Sequence, residues 1–421
     1  GPRRRAGRVT RPAPADLAAI YRAARSAGLD TEPAVIVHDL ARMRAAIAEV
    51  RAAFPASALH TVAIKANPLV GVLRAAVLAG AGLEAASIEE VHLALAAGCP
   101  AGHVVFDSPA KTLPELLDAL RLGVRINCDS LAELARIAAL PLPPRAPVGL
   151  RINPELAASP LALTSVGHRG SRFGVPLSDR AAIVDAFARH RFLTGLHVHV
   201  GSQGAALADL VEAARRLADL RAEICTKRHV PIDTIDLGGG LPAVYRDGDP
   251  HLSPAAYAAA LRAAVPEFFA DDVQLVTEFG RAIQASCGFV VSRVEAVKPG
   301  PIAVLHVGAD LFVRPVYRPH EWHHDLVVLD PAGDLKPGPA APVTLAGPLC
   351  FGGDILARDV PLPPIEPGDH VLVRDAGAYT LAMWSRYCSR AIPLVLGRDD
   401  EGFTVLRRRD TIADIVQFWS P

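Results

Sequence analysis

The most constraining feature of this sequence is a regular alternation of short apolar runs with longer alanine-rich segments between about Val35 and Phe289. The short runs are Thr61–Ile64, His103–Phe106, Arg125–Asn127, Gly149–Asn153, Gly195–Val200, Thr234–Leu237 and Gln274–Thr277. The longer segments have helical patterns and include Leu40–Phe54, Ile88–Ala97, Leu113–Leu122, Leu131–Leu140, Asp179–His190 and Ala206–Lys227. This order predicts a parallel sheet with crossover helices, and roughly seven or eight repeats over about 250 residues is the size of a closed (β/α)8 barrel.

After Phe289 the pattern changes to strand-like runs separated by proline and glycine turns, such as Val290–Val297 and His370–Arg374. Such runs predict a second domain, an antiparallel β-barrel or sandwich. We therefore predict an α/β protein in three parts. An N-terminal segment (residues 1–36) packs with the β domain, a TIM-like (β/α)8 barrel spans residues 37–289, and the C-terminal β domain spans residues 290–421.

The composition excludes several classes of protein. The 421 residues include 44 lysines plus arginines and 44 aspartates plus glutamates, so no basic field marks the chain for nucleic acid or an anionic membrane. No apolar stretch reaches the roughly 18 residues that a membrane helix needs. The six cysteines are scattered without a C-x-x-C pair, which favours neither zinc nor disulfides. We expect a cytoplasmic protein that binds no nucleic acid and no membrane.

Lys65 lies at the end of a strand-like run and is followed by Asn67-Pro68, which ends the strand. An ammonium group there would lose hydration, which is unfavourable unless the group is used. The chain has only five lysines. A lysine in this setting is either a Schiff-base nucleophile or a side chain that extends from the strand end to water.

Further polar groups follow other predicted strands. His199, the turn Gly238–Gly240 and Glu278 fall at or just after strand ends, which is where a barrel carries its active site. Each has an ordinary structural explanation when taken alone. Taken together with Lys65, they match what pyridoxal phosphate (PLP) requires, namely an amine for an imine, backbone donors for a phosphate, a flat group against the ring and a group at the pyridine nitrogen.

At this point the chain resembles a family, the fold-type III PLP-dependent amino-acid decarboxylases, which contain the diaminopimelate and ornithine decarboxylases and share an alanine racemase-like barrel. The matching segments extend from about Val35 to Arg409. They are Ala63-Ile-Lys-Ala-Asn67, Ser171-Arg-Phe-Gly174, His197-Val-His-Val-Gly-Ser-Gln203, Asp236-Leu-Gly-Gly-Gly240, Glu278-Phe-Gly-Arg281, Cys350-Phe-Gly-Gly-Asp354, Asp375-Ala-Gly-Ala-Tyr379 and Ser385-Arg-Tyr-Cys-Ser-Arg390.

The resemblance implies a role for each matched residue. Lys65 would hold PLP as an imine, His199 would stack on the pyridine ring, and Glu278 would pair with the ring nitrogen. The phosphate and its surroundings would be bound by Ser202, Gly238, Gly239, Gly240, Gly280, Arg281 and Tyr379.

The same resemblance implies a homodimer with shared active sites. Cys350 would come from the neighbouring subunit as the acid that reprotonates Cα after carbon dioxide leaves, and Asp354 would help to build the site. Arg314 would bind a substrate carboxylate. Tyr317 is a further substrate-binding candidate, although its segment is one residue shorter than in the family.

Phe351 is the departure from the family that bears most on the substrate. The diaminopimelate branch has a glutamate at this position, and ornithine-type enzymes have an aspartate, to bind the distal amine of the substrate. Phenylalanine accepts no N–H hydrogen bond, so an ammonium group beside it would be desolvated without a partner. The sequence thus predicts an amino acid with an apolar, aromatic or otherwise uncharged distal part, and diaminopimelate and ornithine as poor substrates.

Two smaller departures are Phe279, where the family generally has proline, and Arg386, where relatives tend to carry asparagine.

The segment His320-Glu-Trp-His-His324 has the H-E-x-x-H spacing of zinc proteases. That chemistry needs both histidines on one face of a helix, and the prolines before and after this segment make a long helix improbable, so we expect no metal there.

The leading hypothesis is an α-decarboxylase for an amino acid or an amino-acid-derived biosynthetic intermediate. A PLP-dependent racemase or epimerase on the same fold is an alternative, and so is a non-catalytic PLP-binding homologue. Glu278 favours decarboxylation because it keeps the pyridine nitrogen protonated, whereas alanine racemases place an arginine there.

Overall fold

The computed structural model describes residues 11–29, 33–157, 161, 164–249 and 251–421. The strands of these residues, in chain order, are β1 (Ala34–Asp39), β2 (Leu59–Ala63), β3 (Gly82–Ala85), β4 (Val104–Asp107), β5 (Arg125–Cys128), β6 (Val148–Asn153), β7 (Val175–Pro176), β8 (Leu193–His197), β9 (Thr234–Asp236), β10 (Gln274–Phe279), β11 (Gly288–Lys298), β12 (Ile302–Leu305), β13 (Leu326–Leu329), β14 (Ala341–Ala346), β15 (Ile355–Leu362), β16 (His370–Val373), β17 (Leu394–Asp399) and β18 (Gly402–Arg407).

The α-helices are α1 (Pro14–Ser26), α2 (Leu40–Ala53), α3 (Val70–Leu78), α4 (Ile88–Ala96), α5 (Leu113–Leu122), α6 (Leu131–Ala138), α7 (Arg180–Arg189), α8 (Leu207–Arg228), α9 (Pro254–Ala264), α10 (Arg281–Gln284), α11 (Val313–Tyr317) and α12 (Ile412–Phe418). Their ends follow local sequence. In α5, for example, Thr112 and Glu115 form a capping box, and Gly123 ends the helix in a left-handed conformation. None of the helices in the described ranges combines the length and apolarity needed to cross a membrane.

Eight parallel strands close into a barrel in the order β2-β3-β4-β5-β6-β8-β9-β10, with β10 pairing back to β2. Their residues are almost entirely buried because helices cover the outside and side chains fill the inside. Leu59, Val105 and Val276, from three of these strands, pack together in one apolar cluster. The predicted (β/α)8 barrel is confirmed.

The second β domain is also confirmed, as a separate nine-stranded mixed sheet of β1 and β11–β18. Six of its pairings are antiparallel, while β1 pairs with β17 and β12 pairs with β14 in parallel. The N-terminal strand β1 thus belongs to this sheet. Helix α1 covers it through Leu17 and Tyr21, which pack with Val37 and Phe289.

The chain divides into two compact units. The barrel unit contains Arg44–Ala243 and His251–Ile283, and the sheet unit contains the described parts of Val9–Met43, Val244–Pro250 and Gln284–Pro421. The boundaries 1–36, 37–289 and 290–421 stay a prediction, and residues 1–10 of the predicted N-terminal segment lie outside the described residues.

Candidate active site

Polar residues gather where the barrel strands end. Lys65 lies in a short 3-10 turn directly after β2, while Glu84, Asp107, His197, Asp236 and Glu278 lie in or at the ends of β3, β4, β8, β9 and β10. Parallel strands of a closed barrel bring their carboxyl ends to one rim, which is where such barrels build active sites. The structure therefore brings together the predicted Lys65 and Glu278 with four polar residues that the sequence analysis had not assigned to the site.

The Lys65 ammonium pairs with the carboxylate of Glu84. The Lys65 side chain is 39% exposed, whereas that of Glu84 is fully buried. The Lys65 side chain is therefore less buried than the sequence predicted. Burial raises the pKa of Glu84 to about 7, the nearby Lys65 charge opposes that rise, and Asp107 adds to it.

Glu278 is a buried carboxyl group of the rim. Burial raises its pKa well above the ordinary value, and the nearby carboxylates Glu84 and Asp107 raise it further. The pKa of the neighbouring Asp236 is raised to about 7 by burial and then by the Glu278 charge. The atom Oε1 of Glu278 is buried and has no hydrogen-bond partner among the described residues. A buried acceptor without a partner is unfavourable, so this atom is suited to a ligand that carries an N–H group.

His197 lies between two acidic groups. Its Nε2 is 3.6 Å from Glu278 Oε2 and its Nδ1 is 3.8 Å from Asp107 Oδ1, and neither nitrogen has a hydrogen bond within the described residues. Burial opposes ionisation of Asp107, yet Arg151, with Nη1 3.4 Å from Oδ2, and other nearby cations lower its pKa. Asp107, His197 and Glu278 offer atoms within 4.8 Å of one another, a spacing that could also hold a cation.

His199 and the glycine turn form a second part of the rim. His199 lies two residues after β8, and its Nδ1 accepts a hydrogen bond of 2.9 Å from the backbone N–H of Gly239. Burial, and then the positive charges of Arg151 and Lys65, lower the pKa of His199 well below its usual range, so the ring is neutral. A Cβ at Gly239 would lie 2.6 Å from the carbonyl oxygen of Glu278. The turn is therefore packed too closely for any side chain at this position.

Arg281 begins the short helix α10 directly after Gly280, and its Nε donates to Ser202 Oγ at 3.0 Å. The predicted phosphate-binding pair Ser202 and Arg281 is thus brought together within the barrel unit. Phe279, which stands where the family generally has proline, is buried and makes an edge contact with the ring of Tyr257, so its side chain packs into the barrel wall.

The remaining predicted residues lie in the sheet unit. Cys350 is exposed in the loop after β14. Asp354 is 3% exposed, and its two carboxylate oxygens accept hydrogen bonds of 2.7 Å from the backbone N–H groups of Ala309 and Leu349. These bonds fix the loop that presents Cys350 and Phe351.

Phe351 belongs to a cluster of three aromatic side chains. Its ring stacks on Tyr317 with centroids 6.1 Å apart and meets Tyr387 edge-on at 6.0 Å. Tyr317 is 61% exposed and Tyr387 is 52% exposed. The loop after β14 therefore presents an accessible aromatic surface next to Cys350.

Arg314 is held between two aromatic rings. Its guanidinium carbon lies 4.7 Å from the ring centroid of Trp322 and 4.6 Å from that of Tyr379. Tyr379 has a left-handed backbone with φ of 56°. The guanidinium carbon of Arg386 instead lies 3.8 Å from the ring centroid of Phe418, and its Nη1 lies 3.9 Å from Asp410 Oδ2.

The segment His320–His324 is not helical. Helix α11 ends at Tyr317, and the next regular element is strand β13. His324 Nδ1 lies 2.7 Å from the carbonyl oxygen of Arg374, which ties this histidine to the backbone. The geometry that a zinc-protease motif requires is therefore missing from this part of the described chain.

Comparison with known proteins shows the family. Residues 40–285 match the family described as "Pyridoxal-dependent decarboxylase, pyridoxal binding domain". The chain is 34% identical over 366 residues to a diaminopimelate decarboxylase of Vibrio cholerae, with 84% of each chain covered, and 34% identical over 363 residues to one of Pseudomonas aeruginosa, again with 84% of each covered.

Solved structures agree with this assignment. A diaminopimelate decarboxylase from Helicobacter pylori complexed with L-lysine superposes with a TM-score of 0.83 at 25% identity, covering 94% of this chain and 98% of that one. A lysine/ornithine decarboxylase of Vibrio vulnificus, at 23% identity and a TM-score of 0.76, shares the fold. The chain belongs to the family of pyridoxal-dependent decarboxylases. It is a PLP-dependent carboxy-lyase, and its cofactor is pyridoxal phosphate.

The rim fits this cofactor. PLP combines an aldehyde, a pyridine nitrogen and a phosphate, and the barrel unit offers the amine of the partly exposed Lys65 side chain, the unpartnered oxygen of Glu278 and the Ser202–Arg281 pair. Sequence reasoning missed Glu84 because β3 is only four residues long and contains a glycine and a charged residue. It missed the contacts of Asp107, Asp236 and His197 because the order of strands in a barrel does not predict which side chains meet at its rim.

Proposed function

We propose that the protein catalyses α-decarboxylation of an amino acid whose distal part carries no ammonium group. The observation that carries the proposal is the buried Glu278 carboxyl, with its raised pKa and unpartnered Oε1, on the same rim as Lys65. PLP, when bound, withdraws electrons from the substrate Cα and so allows the bond to the carboxylate to break. A carboxylate at the pyridine nitrogen keeps that nitrogen protonated, which this electron withdrawal requires.

The remaining groups of the barrel unit would hold and orient the cofactor. Lys65 would bind it covalently, and the neutral ring of His199 would lie against its face. Ser202, Arg281 and the Gly238–Gly240 turn would bind the phosphate, with Gly280 allowing close approach of the backbone. Tyr379 would complete this shell.

The proton chemistry involves a second chain in this proposal. Cys350, exposed in its loop, would reach the site of a neighbouring subunit and donate the proton that replaces carbon dioxide at Cα. Arg314 would bind a substrate carboxylate. Because Asp354 is 3% exposed and both of its oxygens accept backbone N–H groups, we assign Asp354 the role of fixing the Cys350 loop.

The contacts of Phe351 support the proposed substrate class. Phe351, Tyr317 and Tyr387 offer aromatic faces and edges, and a site without a carboxylate at this position lacks the partner that a distal ammonium needs. The competing candidate is decarboxylation of diaminopimelate, and the names of the 34% identical relatives favour it. The two candidates share every cofactor-binding residue and differ only at the distal end of the substrate.

A visible spectrum combined with a measurement of carbon dioxide tests the proposal. Purified protein loaded with PLP should show an imine band that shifts with neutral or aromatic amino acids, with release of carbon dioxide. Lys65→Ala should lose the band and the activity, whereas Lys227→Ala, a change at an exposed lysine of helix α8, should keep both.

Three outcomes would contradict parts of the proposal. Carbon dioxide released faster from diaminopimelate than from neutral amino acids would support the competing candidate. Loss of optical activity without carbon dioxide would indicate a racemase. An unreactive band with every amino acid tested would indicate a non-catalytic PLP-binding protein.

A further inference from the structure

Arg11, in the N-terminal segment of the sheet unit, lies at the centre of a dense group of hydrogen bonds. Its Nε and Nη2 donate to Oδ2 of Asp375 at 2.8 and 2.5 Å, and its Nη1 donates to Asp325 at 2.6 Å and to Asp247 at 3.0 Å. Nη2 also donates to the carbonyl oxygen of Tyr245 at 2.7 Å. The side chain is only 10% exposed. One guanidinium thus ties together three separate stretches of the sequence, and its fork of donors suits this task better than a lysine would.

Two of these stretches lead to Arg314. The ring of Tyr245 makes an edge contact with Trp322 at 6.3 Å, and the ring of Trp322 lies against the Arg314 guanidinium. On the other side of Arg314, the ring centroid of Tyr379 lies 4.6 Å from the Arg314 guanidinium carbon. Tyr379 follows Asp375 by four residues. We call the four residues Tyr245, Trp322, Arg314 and Tyr379 the Arg314 arch.

Arg11 binds one end of the Arg314 arch directly, through the backbone carbonyl of Tyr245, and is linked to the other end through Asp375, four residues before Tyr379. The segment from Asp375 to Tyr379 begins and ends in a left-handed backbone, with φ of 54° at Asp375 and 56° at Tyr379. Residues without glycine's freedom keep such conformations only where their surroundings enforce them. Arg374, whose Nη2 donates to the carbonyl oxygen of Pro12 at 2.6 Å, joins the same segment to the residue after Arg11.

We propose that Arg11 is a positioning residue that holds Arg314 in place to bind the substrate carboxylate. This inference rests on the proposed function, because it takes from it the role of Arg314. Arg11 acts through the Arg314 arch and need not touch substrate or cofactor. Loss of its charge should leave the barrel rim intact and loosen the group that orients the substrate.

The test compares Arg11→Gln and Arg11→Lys with Arg22→Gln in the full-length holoenzyme. Arg22 is a suitable control because it belongs to the same N-terminal segment and pairs with Asp334, away from the Arg314 arch. For the substrate found by carbon dioxide release, we expect Arg11→Gln to raise KM at least about tenfold, since small displacements of an orienting group have effects of this size. We expect kcat to change less than about threefold, and Arg11→Lys to recover only part of the loss.

A double-mutant cycle with Arg314→Ala asks whether Arg11 acts through Arg314. In the Arg314→Ala background, Arg11→Gln should raise KM no further. An effect of Arg11→Gln that adds fully to that of Arg314→Ala would overturn the inference. So would KM values that are unchanged in Arg11→Gln.

Hydrogen exchange separates failure of this inference from failure of the proposed function, because it needs no substrate. Arg11→Gln should exchange faster than wild type in segments 312–324 and 374–380, while Arg22→Gln should not. If no amino acid yields carbon dioxide, the proposed function fails and exchange alone decides whether Arg11 holds the arch. Unchanged exchange in both segments would show that it does not.

Discussion

At the scale of single residues, Phe351 separates the two candidate substrates. Replacing it by glutamate supplies the hydrogen-bond acceptor that a distal ammonium needs, so Phe351→Glu should raise kcat/KM for meso-diaminopimelate by ~10²-fold or more. Phe351→Leu, which changes shape without adding an acceptor, should not. Equal rates for the two variants, measured by carbon dioxide release, would mean that the side chain at 351 does not face the distal group.

Asp236 makes a prediction about pH. Its pKa in the folded protein is about 7, above the ordinary 3.8, because of burial and then the Glu278 charge. The folded state therefore holds this proton more tightly than the unfolded state does. The resulting stability is complete below the ordinary pKa and is lost as the pH rises through the raised one.

Asp236→Asn removes this titration. The free energy of unfolding of wild type minus that of the variant should fall between about pH 4 and 7, measured by urea denaturation of the apoprotein. Asp271→Asn, at an exposed aspartate, serves as the control for the general effect of an aspartate-to-asparagine change. A difference for Asp236→Asn that rises with pH would contradict a raised pKa at Asp236.

Among the secondary-structure elements, the glycine turn after β9 is held by close contact with the neighbouring strand β10. A Cβ on Gly239 would meet the carbonyl oxygen of Glu278 at 2.6 Å, so Gly239→Ala must displace either the turn or β10. We expect the Kd for PLP, followed through the visible band, to rise at least about tenfold. Gly102→Ala, where a Cβ meets no atom within 4 Å, should leave the Kd unchanged. Equal Kd values for both variants would show that the turn does not contact the cofactor.

At the scale of the whole molecule, the proposed sharing of active sites predicts complementation. Lys65→Ala and Cys350→Ser should each be nearly inactive. For Cys350→Ser the activity should fall by a factor of ~10²–10⁴, as expected for loss of a general acid. Each mixed dimer should contain one site that has both Lys65 and Cys350. Random re-association of equal amounts should therefore restore about a quarter of wild-type activity, because about half of the dimers are mixed and each has one of two sites intact.

The control for this experiment mixes Lys65→Ala with Lys65→Ala/Cys350→Ser, which cannot build an intact site in any pairing. Activity in the control mixture, or none in the test mixture despite exchange of subunits, would contradict a shared site. Sedimentation of the unmixed protein should show a dimer.

The order of strands and helices follows from local sequence patterns, since an alternation of this length leaves few arrangements besides a parallel barrel. The sequence also located Lys65, His199, the glycine turn and Glu278 at strand ends, because each follows an apolar run directly. These conclusions depend only on residues that are close together along the chain.

Which charges meet depends on strand register and burial, and these follow only from the folded structure. Glu84 pairs with Lys65 because β2 and β3 are neighbours in the barrel, and Asp236 meets Glu278 because β9 lies beside β10. Likewise, only folding brings Arg11 to Asp375, across most of the chain length. Burial then sets the pKa values of these groups, and burial depends on every element packed around them. A local sequence pattern cannot specify either effect.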